Sequence, residues 1–178
     1  MPLLRSPVSV FFTVCCARDR ARKESVTMKK LVILMGLQGS GKSTFYQKHL
    51  SKDFVRVNLD TLKTRHRERA LIEKCLREGA NFAVDNTNPT KEDRARYIPA
   101  AKAKGYRVIG YFLGSEVHDC LVRNARREGK ARVPDVAIFG TSKRLEPPAY
   151  AEGFDELYFV HNDGAEMIIS EWAKPYEI

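Results

Sequence analysis

The sequence predicts an α/β fold, a doubly wound, mostly parallel five-stranded sheet with an arginine-rich lid, and three observations predict it. An apolar run that does not alternate with polar residues, Leu31 to Met35, leads into a glycine-rich loop where Gly36, Gly41, Lys42 and Ser43 satisfy G-x-x-x-x-G-K-[ST]. Four further apolar runs, near 54–58, 81–85, 106–113 and 156–160, alternate with helical patterns. Arg123, Arg126, Arg127 and Arg132 cluster between two of those helices.

A strand followed by this loop is what a phosphate-binding site requires. The backbone N–H groups of Gly36, Gly39, Ser40, Gly41 and Thr44 can turn inward around a phosphate, and the helix expected over 43–50 adds the positive end of its dipole. Lys42 would reach the β- and γ-phosphates of ATP, and the Ser43 hydroxyl would take a place on Mg²⁺.

The second strand, 54–58, delivers Asp60 just beyond its end, at the sheet edge where α/β proteins bind ligands. Two roles are open to Asp60: a chemical one, or the N-cap of a helix expected over 61–78. That helix carries Lys63, Arg65, His66, Arg67 and Arg69, a face suited either to a polyanion or to solvent. Gly79 should stop it. The third strand ends in Asp85, the Walker B position that orders Mg²⁺ and its waters. Asn86 follows, where ATPases that activate water often place Glu, so the reading of a motor ATPase loses ground.

Thr90 with Asp93 reads as a capping pair for the next helix, Pro99 should kink or split it, and Gly105 should close it. After the strand 106–113, whose Gly110 marks a bulge or close packing, helices are expected over 116–127 and 134–145. The arginines between them fit either a phosphoryl-transfer lid or a solvated turn. A lid guanidinium contributes roughly 10³–10⁵ in rate in the best-known cases. Pro147 and Pro148 break the chain, 156–160 forms the fifth strand, and 167–172 is expected to pack as a terminal helical segment.

With 178 residues the chain fits one domain. Its net charge is +9, of which residues 1–30 carry +5, so the remainder permits a polyanionic partner without demanding one. Cys15, Cys16, Cys75 and Cys120 show neither zinc-site nor disulfide spacing, which suits free thiols in a reducing, cytoplasmic setting. Residues 1–27 differ from the rest. Val8 to Ala17 is apolar but too short to span a bilayer, no membrane role is expected, and the segment reads as an extension or an overlong gene start before a P-loop domain over 28–178.

The stretches GLQGSGKST, VNLDTLK, AVDNTNPTKEDRARYI, VRNARREGKARVP and PPAYAEGFDEL together resemble the kinase domain of polynucleotide 5′-hydroxyl kinases, of both the phage type and the eukaryotic kinase/phosphatase type. The likeness runs from about 29 to 160. The DNTNP and PP-x-x-x-EGF stretches are more specific than the loop. The resemblance implies a P-loop NTPase/kinase fold, ATP and Mg²⁺ as cofactors, and a nucleic-acid 5′-hydroxyl end as acceptor. It makes Asp60 the general base and Lys42 and Ser43 the ATP and Mg²⁺ contacts. Arg127 would be the lid arginine, Arg123 a second one at the head of the same stretch, and Arg126 the alternative to Arg127. Lys63 and Asn88 would lie on the acceptor side. The chain departs from the family at Leu59, where members often carry Arg, and at Lys63, where the phage type has Arg. No DxDxT phosphatase signature is present. Two other readings share the scaffold: a kinase of a small hydroxylated molecule, and a protein that binds ATP without transferring phosphate.

Overall fold

The computed structural model describes residues 28–114, 116–162 and 166–173, so the reading of 1–27 lies outside the described residues. Its centre is strand β1 (Lys30–Met35), which runs parallel to β3 (Phe82–Asp85) on one side and to β4 (Arg107–Gly114) on the other. Leu31, Ile33 and Met35 pack into one core layer and Val32 and Leu34 into the opposite one. Burial on both faces explains why this strand reads as a continuous apolar run.

Beyond β3 lies β2 (Val55–Val57), and beyond β4 lies β5 (Glu156–Asn162), all parallel. The sheet has a sixth strand, β6 (Met167–Glu171), antiparallel to β5, and the full order is β2-β3-β1-β4-β5-β6. The helix expected over 167–172 is therefore a strand. Short apolar runs are ambiguous between the two states. Here the β-branched Ile168 and Ile169 pair with the open edge of β5, while Trp172 buries its ring against Phe112 and Phe159.

The connecting helices follow the local signals. α1 (Lys42–Phe45) continues as a π-helical turn over Tyr46–Leu50. The single helix expected over 61–78 is two, α2 (Leu59–Leu62) and α3 (Arg65–Glu78), because Lys63 takes a left-handed conformation (φ 70°) and ends the first. Each piece has its own cap: Asn58 accepts from the Thr61 N–H and Thr64 from the Arg67 N–H. The capping alternative for Asp60 is thereby corrected, since Asn58 does that work and Asp60 lies inside α2.

Thr90 caps α4 (Lys91–Ala95) by accepting from the Asp93 N–H, and Pro99 stands in the first turn of α5 (Ile98–Ala103), so the expected split is real. α6 (Val117–Ala125) and α7 (Asp135–Ser142) are shorter than the sequence suggests. They pack Cys120 and Ile138 against Leu37 of the glycine-rich loop, holding the segment between them beside that loop. Gly110 marks close packing: a Cβ there would stand 2.6 Å from Leu157 Cδ2.

Candidate active site

The carboxyl ends of β1, β2 and β3 open onto one cavity of about 750 Å³, whose walls include Lys42, Ser43, Asp60, Lys63, Asp85 and Arg127. This is the crevice where open α/β sheets bind ligands. The loop after β1 forms its floor. Gly39 and Gly41 have φ of 85° and 101°, and a Cβ would come within 2.6 Å of the Cys120 carbonyl at the first and of Asn162 Nδ2 at the second. Gly36 donates its N–H to the Thr87 carbonyl at 3.1 Å. Ser40 is buried, and its carbonyl accepts from Asn162 Nδ2 at 3.0 Å.

Lys42 turns its ammonium back into the loop, donating to the carbonyls of Gly36 (2.9 Å) and Leu37 (2.6 Å). Burial pulls its pKa down to about 8, with the Asp85 carboxylate opposing the drop. An entering phosphate would offer that ammonium a stronger partner than two carbonyls.

Ser43 Oγ donates to Asp85 Oδ2 at 3.2 Å. Between the same two groups lies the Arg56 guanidinium. Its Nε donates to Asp85 Oδ2 and its Nη2 to Ser43 Oγ, each at 2.9 Å, and Nη2 also makes a close ion pair with Asp85. A hydroxyl and a carboxylate oxygen are hard donors, and Mg²⁺ commonly takes only one or two protein oxygens, filling its shell with water and phosphate. A positively charged group already lies at this pair, so Ser43 and Asp85 fit the metal. Among the described residues no cluster of three or more His, Cys, Asp and Glu could hold one.

Asp60 is exposed on α2 and faces the cavity with Lys63. Its helix is held from below. The Leu59 N–H donates to Asn86 Oδ1 (2.9 Å), and Asn86 Nδ2 donates to Glu68 Oε1 (2.7 Å). Glu68, buried in α3, also accepts from the Tyr97 hydroxyl (3.1 Å) and from Arg65 Nη1 (2.7 Å). Burial and the Glu68 carboxylate raise the Tyr97 pKa, which keeps its hydroxyl a donor. Asn58 Nδ2 donates to the Asp85 carbonyl, so the ends of β2 and β3 are laced together by asparagines.

The arginines expected to form a lid separate clearly. Arg127 is half-buried and lines both the main cavity and a neighbouring one of about 280 Å³, which also takes in Thr44 and Arg123. Arg123 donates Nε to the Gly39 carbonyl at 2.8 Å, gripping the loop itself. Arg126 is exposed and lines neither cavity, so the alternative to Arg127 loses its place. The buried Asn124 shapes this turn by pairing both ways with the Val133 backbone, at 2.7 and 3.0 Å. Asn88, expected on the acceptor side, is buried in the fold. It donates Nδ2 to the Leu34 carbonyl at 2.7 Å and lines neither cavity. Its work is to bind the turn after β3 to the end of β1, which a motif alone does not distinguish from substrate contact.

Sequence reasoning passed over Arg56, Asn58, Glu68 and Asn86 as parts of the site. Arg56 carried a signal, being the polar residue of an alternating strand beside the phosphate loop. Glu68, within a run of charged helix residues, carried none.

A family model described as an AAA domain matches residues 31–148. The chain belongs to this AAA-domain family of P-loop proteins. Within the family's fold it is similar to proteins named bifunctional polynucleotide phosphatase/kinase. The one from Acanthamoeba polyphaga mimivirus is 32% identical over 136 residues, 72% of this chain and 32% of the relative. The one from Schizosaccharomyces pombe is 28% identical over 133 residues, 72% of this chain and 33% of the relative. The chain thus spans about a third of the length of these relatives. In fold it is similar to a chain of the PezAT toxin–antitoxin system of Streptococcus pneumoniae (TM-score 0.63, 14% identity, covering 89% of this chain and 85% of that one). It is also similar to Chaetomium thermophilum Kti12 in complex with ADP-AlF3 (TM-score 0.59, 17% identity, covering 76% and 91%) and to a gluconokinase from Sinorhizobium meliloti (TM-score 0.53, 15% identity, covering 75% and 83%). The family's P-loop kinase fold is the one described above.

Proposed function

We propose that this chain is an ATP-dependent kinase that phosphorylates the 5′-hydroxyl end of a polynucleotide. The observation that carries the reading is that one cavity is lined both by Lys42 and Ser43, groups suited to phosphate, and by Asp60 and Lys63, groups suited to an acceptor, with Arg127 in the same lining. A protein that only binds ATP has no use for the second edge. The similarity to polynucleotide phosphatase/kinases supports the choice of acceptor.

In this mechanism Asp60 accepts the proton of the 5′-hydroxyl as its oxygen bonds to the γ-phosphorus and the bond to the bridging oxygen of ADP breaks. Lys42 leaves the Gly36 and Leu37 carbonyls to hold the phosphates, and Arg127 neutralises the transferring oxygens. Mg²⁺, when bound, would spread the negative charge of the phosphates, with Ser43 and Asp85 to hold it. Arg123 keeps the loop closed through Gly39, and Lys63 offers a point charge to the acceptor backbone.

Buried free Cys75 and Cys120 support a reducing compartment. Among the described residues no helix is long and apolar enough to cross a membrane.

The test is transfer of γ-labelled phosphate to matched 5′-hydroxyl and 5′-phosphate oligonucleotides of DNA and RNA with the full chain and Mg²⁺. Label confined to the 5′-hydroxyl ends, with acceptor binding that weakens as salt rises, is expected. ATP bound with no label on either end would replace the reading with a small-molecule kinase.

A further inference from the structure

The Arg56 guanidinium lies on the two groups assigned to Mg²⁺. The Asp85 side chain is 1% exposed, and a carboxylate so buried is costly without a positive partner. Lys42 does not meet that need by contact, because its ammonium donates to the Gly36 and Leu37 carbonyls. Arg56 does meet it, sharing Asp85 Oδ2 between Nε and Nη2 and placing Nη2 on Ser43 Oγ. A metal bound to those oxygens at the 2.0–2.1 Å usual for Mg²⁺ would need the space the guanidinium fills, at about 2.9 Å from each.

Arg56 is also built to leave. Its side chain is 36% exposed on the cavity side, and it belongs to β2, a three-residue strand at the sheet's edge. The guanidinium centre lies 5.2 Å from the centroid of the Tyr46 ring, whose hydroxyl is fixed to the Phe54 carbonyl at 2.7 Å. That ring face gives the cation a resting surface whether or not it contacts Asp85.

We propose that Arg56 is a tethered counter-ion that holds the metal position in the nucleotide-free protein and is displaced when the divalent cation enters with nucleotide. This rests on the kinase reading only through the assignment of Ser43 and Asp85 to the metal. Two positive groups compete for one pair of oxygens, so the apparent dissociation constant for the metal is the intrinsic one divided by the fraction of molecules in which Arg56 has withdrawn, and binding is weakened accordingly. Arg56 thereby sets how much divalent cation the enzyme requires, and keeps Asp85 neutralised and ordered between turnovers.

The test is Mn²⁺ binding by electron paramagnetic resonance, in the presence of ADP, to wild type, Arg56→Gln and Arg56→Lys. Arg56→Gln should bind Mn²⁺ about tenfold more tightly, and Arg56→Lys, which restores a cation, should return toward wild type. Equal or weaker binding by Arg56→Gln would overturn the proposal while leaving the metal site standing. Absence of Mn²⁺ binding with ADP in every protein would instead overturn the metal assignment itself. A measurement on wild type alone covers the case of a variant that does not fold. The Arg56 Nε–H resonance should shift and exchange faster with water when Mg²⁺ and ADP are added, and an unchanged resonance would also overturn the proposal.

Discussion

Arg94 and Glu152 meet in a buried two-pronged ion pair, with Nε donating to one carboxylate oxygen at 2.6 Å and Nη2 to the other at 2.9 Å. The same guanidinium donates Nη1 to the carbonyls of Asn88, Pro89 and Glu146, and Glu152 accepts from the Ala149 N–H. One arginine thus fastens the turn after β3 to the segment before β5. These are the two stretches, DNTNP and PP-x-x-x-EGF, whose joint presence carries the family resemblance.

Truncating Glu152 to Ala leaves the Arg94 charge buried without its partner. The expected loss is about 3–5 kcal/mol, read as a lower urea midpoint with an unchanged slope. Replacing both, Arg94→Met with Glu152→Leu, should recover only part of it, because the carbonyls of Asn88, Pro89 and Glu146 and the Ala149 N–H lose their partners.

Asp60→Asn keeps the shape of α2 and removes the carboxylate proposed as the base. Transfer should fall roughly 10²–10⁴-fold with ATP affinity within about twofold of wild type. Turnover equal to wild type would dismiss Asp60 from the chemistry.

Asn86 touches no reacting group but holds the Leu59 N–H on one side and Glu68 on the other. Asn86→Ala should loosen Asp60 and lower kcat by about 10²-fold, since small misplacements of a catalytic group cost that much. The pH profile and the affinity for ATP should stay as they are, which separates positioning from proton transfer.

The two neighbouring lid arginines should part company on substitution. Arg127→Ala is expected to cost roughly 10³-fold or more in transfer, and Arg126→Ala about twofold at most, in steady-state assays at saturating ATP.

In the proposed mechanism Lys42 binds phosphate in its protonated form, and burial pulls its pKa in the free protein down to about 8. Bound phosphate raises that pKa, so ATP binds best below pH 8 and its affinity falls as pH rises through 8, by at most about tenfold per unit. Calorimetric titration with ATP in EDTA between pH 6.5 and 9.5 checks the sign, and a flat profile would contradict it.

Much of this architecture is legible in the sequence because β1 is buried on both faces and the loop after it has few alternatives. Asp85, Lys42 and Ser43 come together as their motifs require. The errors fall where local pattern yields to packing. Residues 167–171 form a strand because β5 offers an open edge, which no window of sequence reveals. The helix break at Lys63 shows in retrospect as two caps six residues apart, Asn58 and Thr64, each immediately before a helical start. Asn88 belongs to a motif yet turns inward, because the Leu34 carbonyl at the end of β1 needs a donor. Arg56, Glu68 and Asn86 are invisible as a group, since their roles depend on contacts across 13 to 29 residues of chain.

The left-handed turn at Lys63 has a consequence for how such a chain diversifies. It sets Asp60 on a one-turn pedestal of its own, while His66, Arg67 and Arg69 project from a separate rod whose anchor is Glu68. The outer side of that rod is a replaceable panel. Its charges can be traded without disturbing the pedestal, which, bolted to Asn86, keeps its height and tilt.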